Sequence, residues 1–365
     1  MTISKRILTS LQFFIALSIS NLSLLDSTYA QTSDTSLASN GCLNVVIVNN
    51  FAYAACGQEI EIVSLTTLER RLINVAANDI TADAEADLLF TQSGRNLTML
   101  SLSNPLQPSV ITTATTNFSV FSGVSATSGV LVVSGGAGSA DTQIYSYTPN
   151  SLSLQTDGIP QIDSATGNPD VLLVRQTPTN LIAYYSQDIG GVANFAIQPV
   201  SINNLGDVIS VSTDIVLTPG RFDFGLNLGP SNFPVESEIL NNRLYVAHFA
   251  AQGLEVINTA NNQLEQVIPL PFVPTNVASD GISLFVVGSN NDSVAVIDPN
   301  TPTPATILQT EQTLDRPTGI AASSTHIAVA DRTIGLIIIN RSPVSSPQPE
   351  ISNILPSILL LLNEE

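Results

Sequence analysis

The chain has 365 residues and a formal net charge of −19, with eleven basic residues against thirty acidic ones, no tryptophan, two cysteines and two histidines. Such a field repels phosphate backbones and anionic headgroups, which argues against nucleic acid and lipid surfaces as partners. Two histidines with no His-x-x-x-His or Cys-x-x-Cys spacing leave no familiar zinc motif, and the single lysine, Lys5, falls in a segment expected to be removed, so no P-loop or Schiff-base lysine is left.

Residues 1–30 read as a secretory signal: Lys5 and Arg6 precede an apolar stretch from Ile7 to Leu25, and Thr28-Tyr29-Ala30 supplies a small-residue cleavage site. The mature chain is therefore expected to start at Gln31 in an extracytoplasmic compartment, whether periplasm, cell surface or medium. Residues 31–41 form a short N-terminal segment. In CLNVVIVNNFAYAAC two apolar strands flank a turn near Asn49-Asn50, which places Cys42 and Cys56 opposite one another across a hairpin. Oxidation to a disulfide is expected at a non-hydrogen-bonded site, where side chains approach most closely. The loop-closure estimate for such a staple is about 3 kcal/mol.

From Cys42 to Asn340 one strand pattern recurs seven times, anchored by FAYAAC, DLLFT, GVLVVS, NLIAYY, RLYVAH, SLFVVG and HIAVA. Each copy has a short apolar strand, a polar turn, a second apolar strand and a Gly/Asn-rich turn before a third. Alternating or continuous apolar runs bounded by Gly, Asn, Asp and Pro are strand signals, and no stretch offers a convincing amphipathic helix. A unit of about 43 residues matches one four-stranded blade. The predicted fold is all-β, a seven-bladed β-propeller of four-stranded antiparallel blades over residues 42–340. The two inner strands of each blade are expected to be buried, as in NVVIV and LIIIN, and the outer ones polar.

Between the fourth and fifth units, VLTPGRFDFGLNLGPSNFP (216–234) reads as a long ordered loop and a candidate binding element. The seventh unit supplies only three strands. Its fourth must come from residues 31–41, from the C-terminal tail, or not at all. Residues 341–365 form a Pro/Ser linker and a short apolar tail, ILPSILLLL, too short for a membrane span.

The stretches FVPTNVASDGISLFVVGSNNDSVAVIDPNT and RLYVAHFAAQGLEVINT resemble the YVTN-type repeats of bacterial surface-layer propellers. NNFAYAACGQEIEIVSL and GRNLTMLSLSNPLQPSVI are similar to the related LVIVD-type repeats. The resemblance covers the first, second, fifth, sixth and seventh units well and the third and fourth poorly. It implies an extracytoplasmic propeller, often without known chemistry, acting in binding or at the cell surface. Gly253, Asp298 and Gly335 fall at turn or strand-end positions of these repeats, so they carry fold rather than activity.

Candidate functional residues follow from the fold model alone. Ligands of propellers commonly sit at one end of the central channel, which puts Asp79, Arg221, Asp223, His248, Asp292, Arg316 and Asp331 near one face. Arg221, Asp223, His248 and Arg316 are the ligand-binding candidates, and Arg221 with Arg316 is a conceivable anion-binding pair. His248 is the one candidate general base, whereas His326 opens a core strand and reads as structural. No cofactor is implied. Calcium near Asp292, in SNNDS, lacks the Asp-x-Asp-x-Asp ladder that would support it. SGGAGSAD (134–141) lacks the lysine and following helix of a phosphate loop. The leading expectation is a monomeric, non-catalytic module that binds a protein, glycan or small ligand. The alternatives are a propeller hydrolase or lactonase at the channel mouth, and a structural surface-layer component.

Overall fold

In the computed structural model of the chain, the described residues are 30–31, 36–38, 41–117, 123–135, 142–159, 171–188, 195–217, 236–247, 253–288, 293–300, 306–309 and 314–341. They contain strands and turns and no helix, hence none long and apolar enough to cross a membrane. The strands form seven sheets in sequence order.

Blade 1 runs Asn44–Val48, Phe51–Ala55, Ile60–Ser64 and Arg70–Ile73, and blade 2 runs Asp79–Asp83, Leu88–Ser93, Asn96–Ser101 and Ser109–Thr115. Blade 3 comprises Val124–Thr127, Val130–Ser134, Thr142–Thr148 and Ser151–Asp157. Blade 4 comprises Val171–Arg175, Asn180–Asp188, Phe195–Asn203 and Val208–Val211, with Ile215–Val216 also pairing the third strand. Blade 5 is Glu236–Leu240, Arg243–Ala247, Gly253–Asn258 and Gln263–Pro269, and blade 6 is Pro274–Ser279, Leu284–Gly288, Ser293–Ile297 and Thr306–Gln309. Blade 7 takes Pro317–Ala322, His326–Asp331 and Gly335–Asn340, and its fourth position is filled from the N-terminal side by the two-residue strand Ala30–Gln31. The architecture is a seven-bladed β-propeller, and all seven anchor runs are second strands.

Tight turns follow from local chemistry. Asn241-Asn242 joins two strands with both residues at positive φ, the conformation whose twist matches that of paired strands and that asparagine tolerates best. Burial differs in one respect from the sequence expectation. The second and third strands are most buried, as in Ile60–Ser64, whereas the innermost strand Asn44–Val48 keeps three half-buried residues because it lines the channel. NVVIV is thus a channel wall, while LIIIN is a third strand buried between blades.

The core is a series of layers between neighbouring blades. Tyr53 and Leu89 share the layer of blades 1 and 2, Phe90 and Tyr145 that of 2 and 3, and Tyr184 and Leu244 that of 4 and 5. Such stacking leaves an apolar face bare at each end unless the ring closes. Closure is made by the layer of Cys42, Ala52, Ala54 and Cys56 from blade 1 against Ala328, Ala330, Leu336 and Ile338 from blade 7.

The Cys42–Cys56 disulfide sits in this seam, with a Cα–Cα distance of 4.0 Å. The two cysteines are not direct cross-strand partners, as the sequence suggested. The ladder pairs Val48 with Phe51 and Asn44 with Ala55, which centres the turn between Asn49 and Asn50 and sets Cys56 opposite Leu43. Cys42 reaches Cys56 because the chain leaves the ladder there and its N–H turns to donate to the Asp331 carbonyl of blade 7, at 2.8 Å. Glu61 completes the seam. Fully buried, its carboxylate accepts from Arg70 Nη1 at 2.8 Å, from the Leu37 N–H at 2.9 Å and from the Ser36 hydroxyl, while Arg70 also donates to the Leu336 carbonyl.

Candidate functional site

The innermost strands of all seven blades surround a channel of about 290 Å³. Their first residues bind the ring together at one end. Thr318 Oγ1 donates to the Leu43 carbonyl at 2.7 Å, and Asn44 Nδ2 donates to Asp79 Oδ1 at 2.6 Å. Asp79 Oδ2 accepts from the Val124 N–H at 2.8 Å, Ser125 Oγ accepts from the Leu173 N–H at 2.9 Å, and Asn276 Nδ2 donates to the Thr318 carbonyl at 3.0 Å. Each bond joins one blade to the next, so this polar belt satisfies groups that the strand ladders leave over.

Among the described residues two carboxylates line the channel, Asp79 and Glu238, and no basic residue does. Both face the lumen but are ringed by packed strands. Burial raises the Asp79 carboxyl to about 6, against the lowering effect of bonds from Asn44, Ile80 N–H and Val124 N–H. Burial also pushes Glu238 up to about 7, opposed only by the adjacent Ile239 N–H. For a carboxyl raised on folding, the favourable contribution is fully present below its unfolded pKa, near 4, and is lost as pH rises through its folded one. Stability should therefore fall between about pH 4 and pH 7 from these two groups, and Glu238→Gln should flatten the upper part of that window. Urea unfolding midpoints measured across the range check this; an unchanged slope in the variant would remove Glu238 as its source.

At the same end, Asp331 is fully buried and its two oxygens accept four backbone N–H bonds, from Asp315 and Arg316 at 2.9 Å each, Thr333 at 2.8 Å and Ile334 at 3.0 Å. It thereby fixes the loop carrying Arg316. Asp79 and Asp331, both placed near this face by the sequence, serve as acceptors within the scaffold. Arg221, Asp223, His248 and Asp292 lie outside the described residues, as do most of 216–234 and of 134–141. His326 begins its strand opposite Asn340, at the other end of the blade, with Nδ1 at 2.9 Å from the Thr325 hydroxyl and its pKa lowered by burial. Among the described residues one group of possible metal ligands occurs, Cys42, Cys56 and Glu61. Its sulfurs are joined in the disulfide and its carboxylate is held by Arg70, so no thiolate is left to ligate.

Sequence reasoning missed Glu238 and Arg332. ESEIL gives no sign that its central glutamate faces a lumen, because which side of an innermost strand lines the channel is set by the packing of the ring and not by the strand's own residues.

The closed ring, its narrow polar-belted channel and the blade order define a seven-bladed β-propeller. No family profile matches the chain, and no curated protein matches it. Similar solved structures include a chain of a mitotic checkpoint complex, with a TM-score of 0.62 at 9% identity over 87% of this chain and 93% of that one. A catalytically inactive histidine-to-alanine variant of virginiamycin B lyase from Staphylococcus aureus, crystallised with quinupristin, has a TM-score of 0.57 at 12% identity over 86% and 98%. A streptogramin B lyase gives 0.58 at 10% identity over 86% and 96%. At these identities the likeness is one of fold.

Proposed function

We propose that the chain is an extracytoplasmic, non-catalytic binding module, related in kind to the YVTN and LVIVD propellers, that takes a protein, glycan or small ligand at the end of the ring where the innermost strands begin. The observation that carries this reading is the use of Asp79 and Asp331. Three donors hold the first and four the second, so these two carboxylates brace the surface at this end of the ring. A rigid scaffold presenting loops is the arrangement binding proteins share. The buried disulfide accords with an oxidising compartment, and the mass of the mature N-terminus tests cleavage after Ala30.

Glu238 favours a second reading. A carboxyl raised to about 7 in a partly enclosed channel has the properties of a general base, and two of the similar folds are lyases. The two readings separate by experiment. A partner captured from an envelope extract should be lost on Arg316→Ala and kept on His326→Ala, which lies at the opposite end. Turnover of an ester or lactone panel, or of quinupristin, that disappears in Glu238→Gln or His248→Ala would assign the enzyme instead.

A further inference from the structure

Eight arginines fall among the described residues, and they are not used alike. Arg70, Arg71, Arg175, Arg243 and Arg341 each hold a carboxylate, on Glu61, Glu69, Glu85, Glu265 and Asp280. Arg95 donates from Nε to the Thr116 carbonyl at 3.1 Å. In a chain with thirty acids, Arg316 and Arg332 alone of the eight have neither a carboxylate nor a carbonyl on the guanidinium.

These two are also neighbours. The Arg332 N–H donates to the Arg316 carbonyl at 3.0 Å, both side chains are exposed, and both loops hang from the buried carboxylate of Asp331. Gly41 packs its backbone against the Arg332 carbonyl so closely that a Cβ there would lie 1.7 Å from the oxygen, which fixes the second loop from its other side. Although the residue is solvent-exposed at its surface, partial desolvation against its loop, and then the charge of Arg316, hold the Arg332 guanidinium below its usual range. Asp315, next to Arg316, makes no ion pair with either. Two like charges held together by a preformed loop pair, in a protein with acids to spare, are an arrangement that a bound anion would relieve.

We propose that Arg316 and Arg332 form a binding site for a tetrahedral dianion, the phosphate or sulfate group of a ligand seated on the blade 7 rim. The inference deepens the binding-module reading by naming the chemistry of one contact on the same face. Two guanidinium forks match the charge and oxygen geometry of such a group, and a monoanionic carboxylate would satisfy only one. The remaining surface is acidic, so the site selects a ligand whose negative charge is confined to this one group.

The test is a titration of the full mature chain with inorganic phosphate, with sulfate, and with acetate at matched ionic strength, read on the backbone amide signals of Arg316, Arg332 and Thr333. Saturable shifts are expected with phosphate and sulfate and not with acetate, weakening about tenfold for each of Arg316→Gln and Arg332→Gln. Glucose 6-phosphate in place of phosphate distinguishes an ester from the free ion as the better ligand. Without anion, Arg332→Gln should be at least as stable as the parent, because it relieves repulsion; a destabilised variant would mean the arginine is structural. The proposal is overturned if phosphate shifts do not saturate, or if they persist in the double variant. A partner still captured through Arg316 after that result would leave the binding-module reading standing.

Discussion

Replacing Glu61 by glutamine is expected to cost about 3–5 kcal/mol of stability, seen as a large drop in the urea midpoint. Removing one member of a buried ion pair leaves the other charge without compensation, and Arg70 and Glu61 side chains are only 7% and 0% exposed. The loss reaches beyond the pair. Glu61 is also the acceptor for Ser36 and Leu37, so the N-terminal chain loses its anchor on blade 1. Ser36 in turn lies against Gly335, whose φ is +98° and where an added Cβ would fall 2.1 Å from Ser36 Oγ, so that no side chain fits. A Glu61→Met, Arg70→Met double variant should recover part of the loss, since no isolated charge is then buried. A Glu61→Gln midpoint equal to that of the parent would show that the seam does not depend on this pair.

Removal of the disulfide by Cys42→Ala with Cys56→Ala is expected to cost about 3 kcal/mol by loop closure. Both cysteines are fully buried in the layer where blade 1 meets blade 7, so the staple acts at the one place where the ring must join its two ends. The double variant should therefore open at blade 7 first. Hydrogen exchange measures this directly: amides of Gly335–Asn340 should lose protection before those of Leu88–Ser93, far from the seam. Uniform loss of protection around the ring would instead mean that the seam is no weaker than the other blade contacts. Chemical reduction of the parent chain should reproduce the shift only after partial unfolding, because the sulfurs are inaccessible.

The repeat was legible because each blade carries its own local signal: an apolar second strand such as SLFVVG, closed by Gly, Asn or Asp turns, needs no distant residue to be recognised. The face of a candidate residue was less legible. Asp79 and Asp331 were correctly placed near one end from their position in the repeat, but their work as acceptors depends on Val124 in the next blade and on Arg316 across a hairpin. Arg332 follows Asp331 in a turn that reads as ordinary solvent-exposed sequence. Its significance lies in having Arg316 beside it and, among the described residues, no carboxylate paired with it.

Composition, repeat period and the cysteine pair were thus enough to determine an all-β ring of seven blades and a stapled first hairpin, since these depend on local strand and turn preferences. The tertiary structure decided what joins the ring, which carboxylates are held within the scaffold, which two face the channel, and which of the described arginines make no ion pair. Those outcomes rest on contacts between blades, such as Asn44 with Asp79 or Cys42 with Asp331, where partners are set by the packing of neighbouring sheets and not by their separation along the chain.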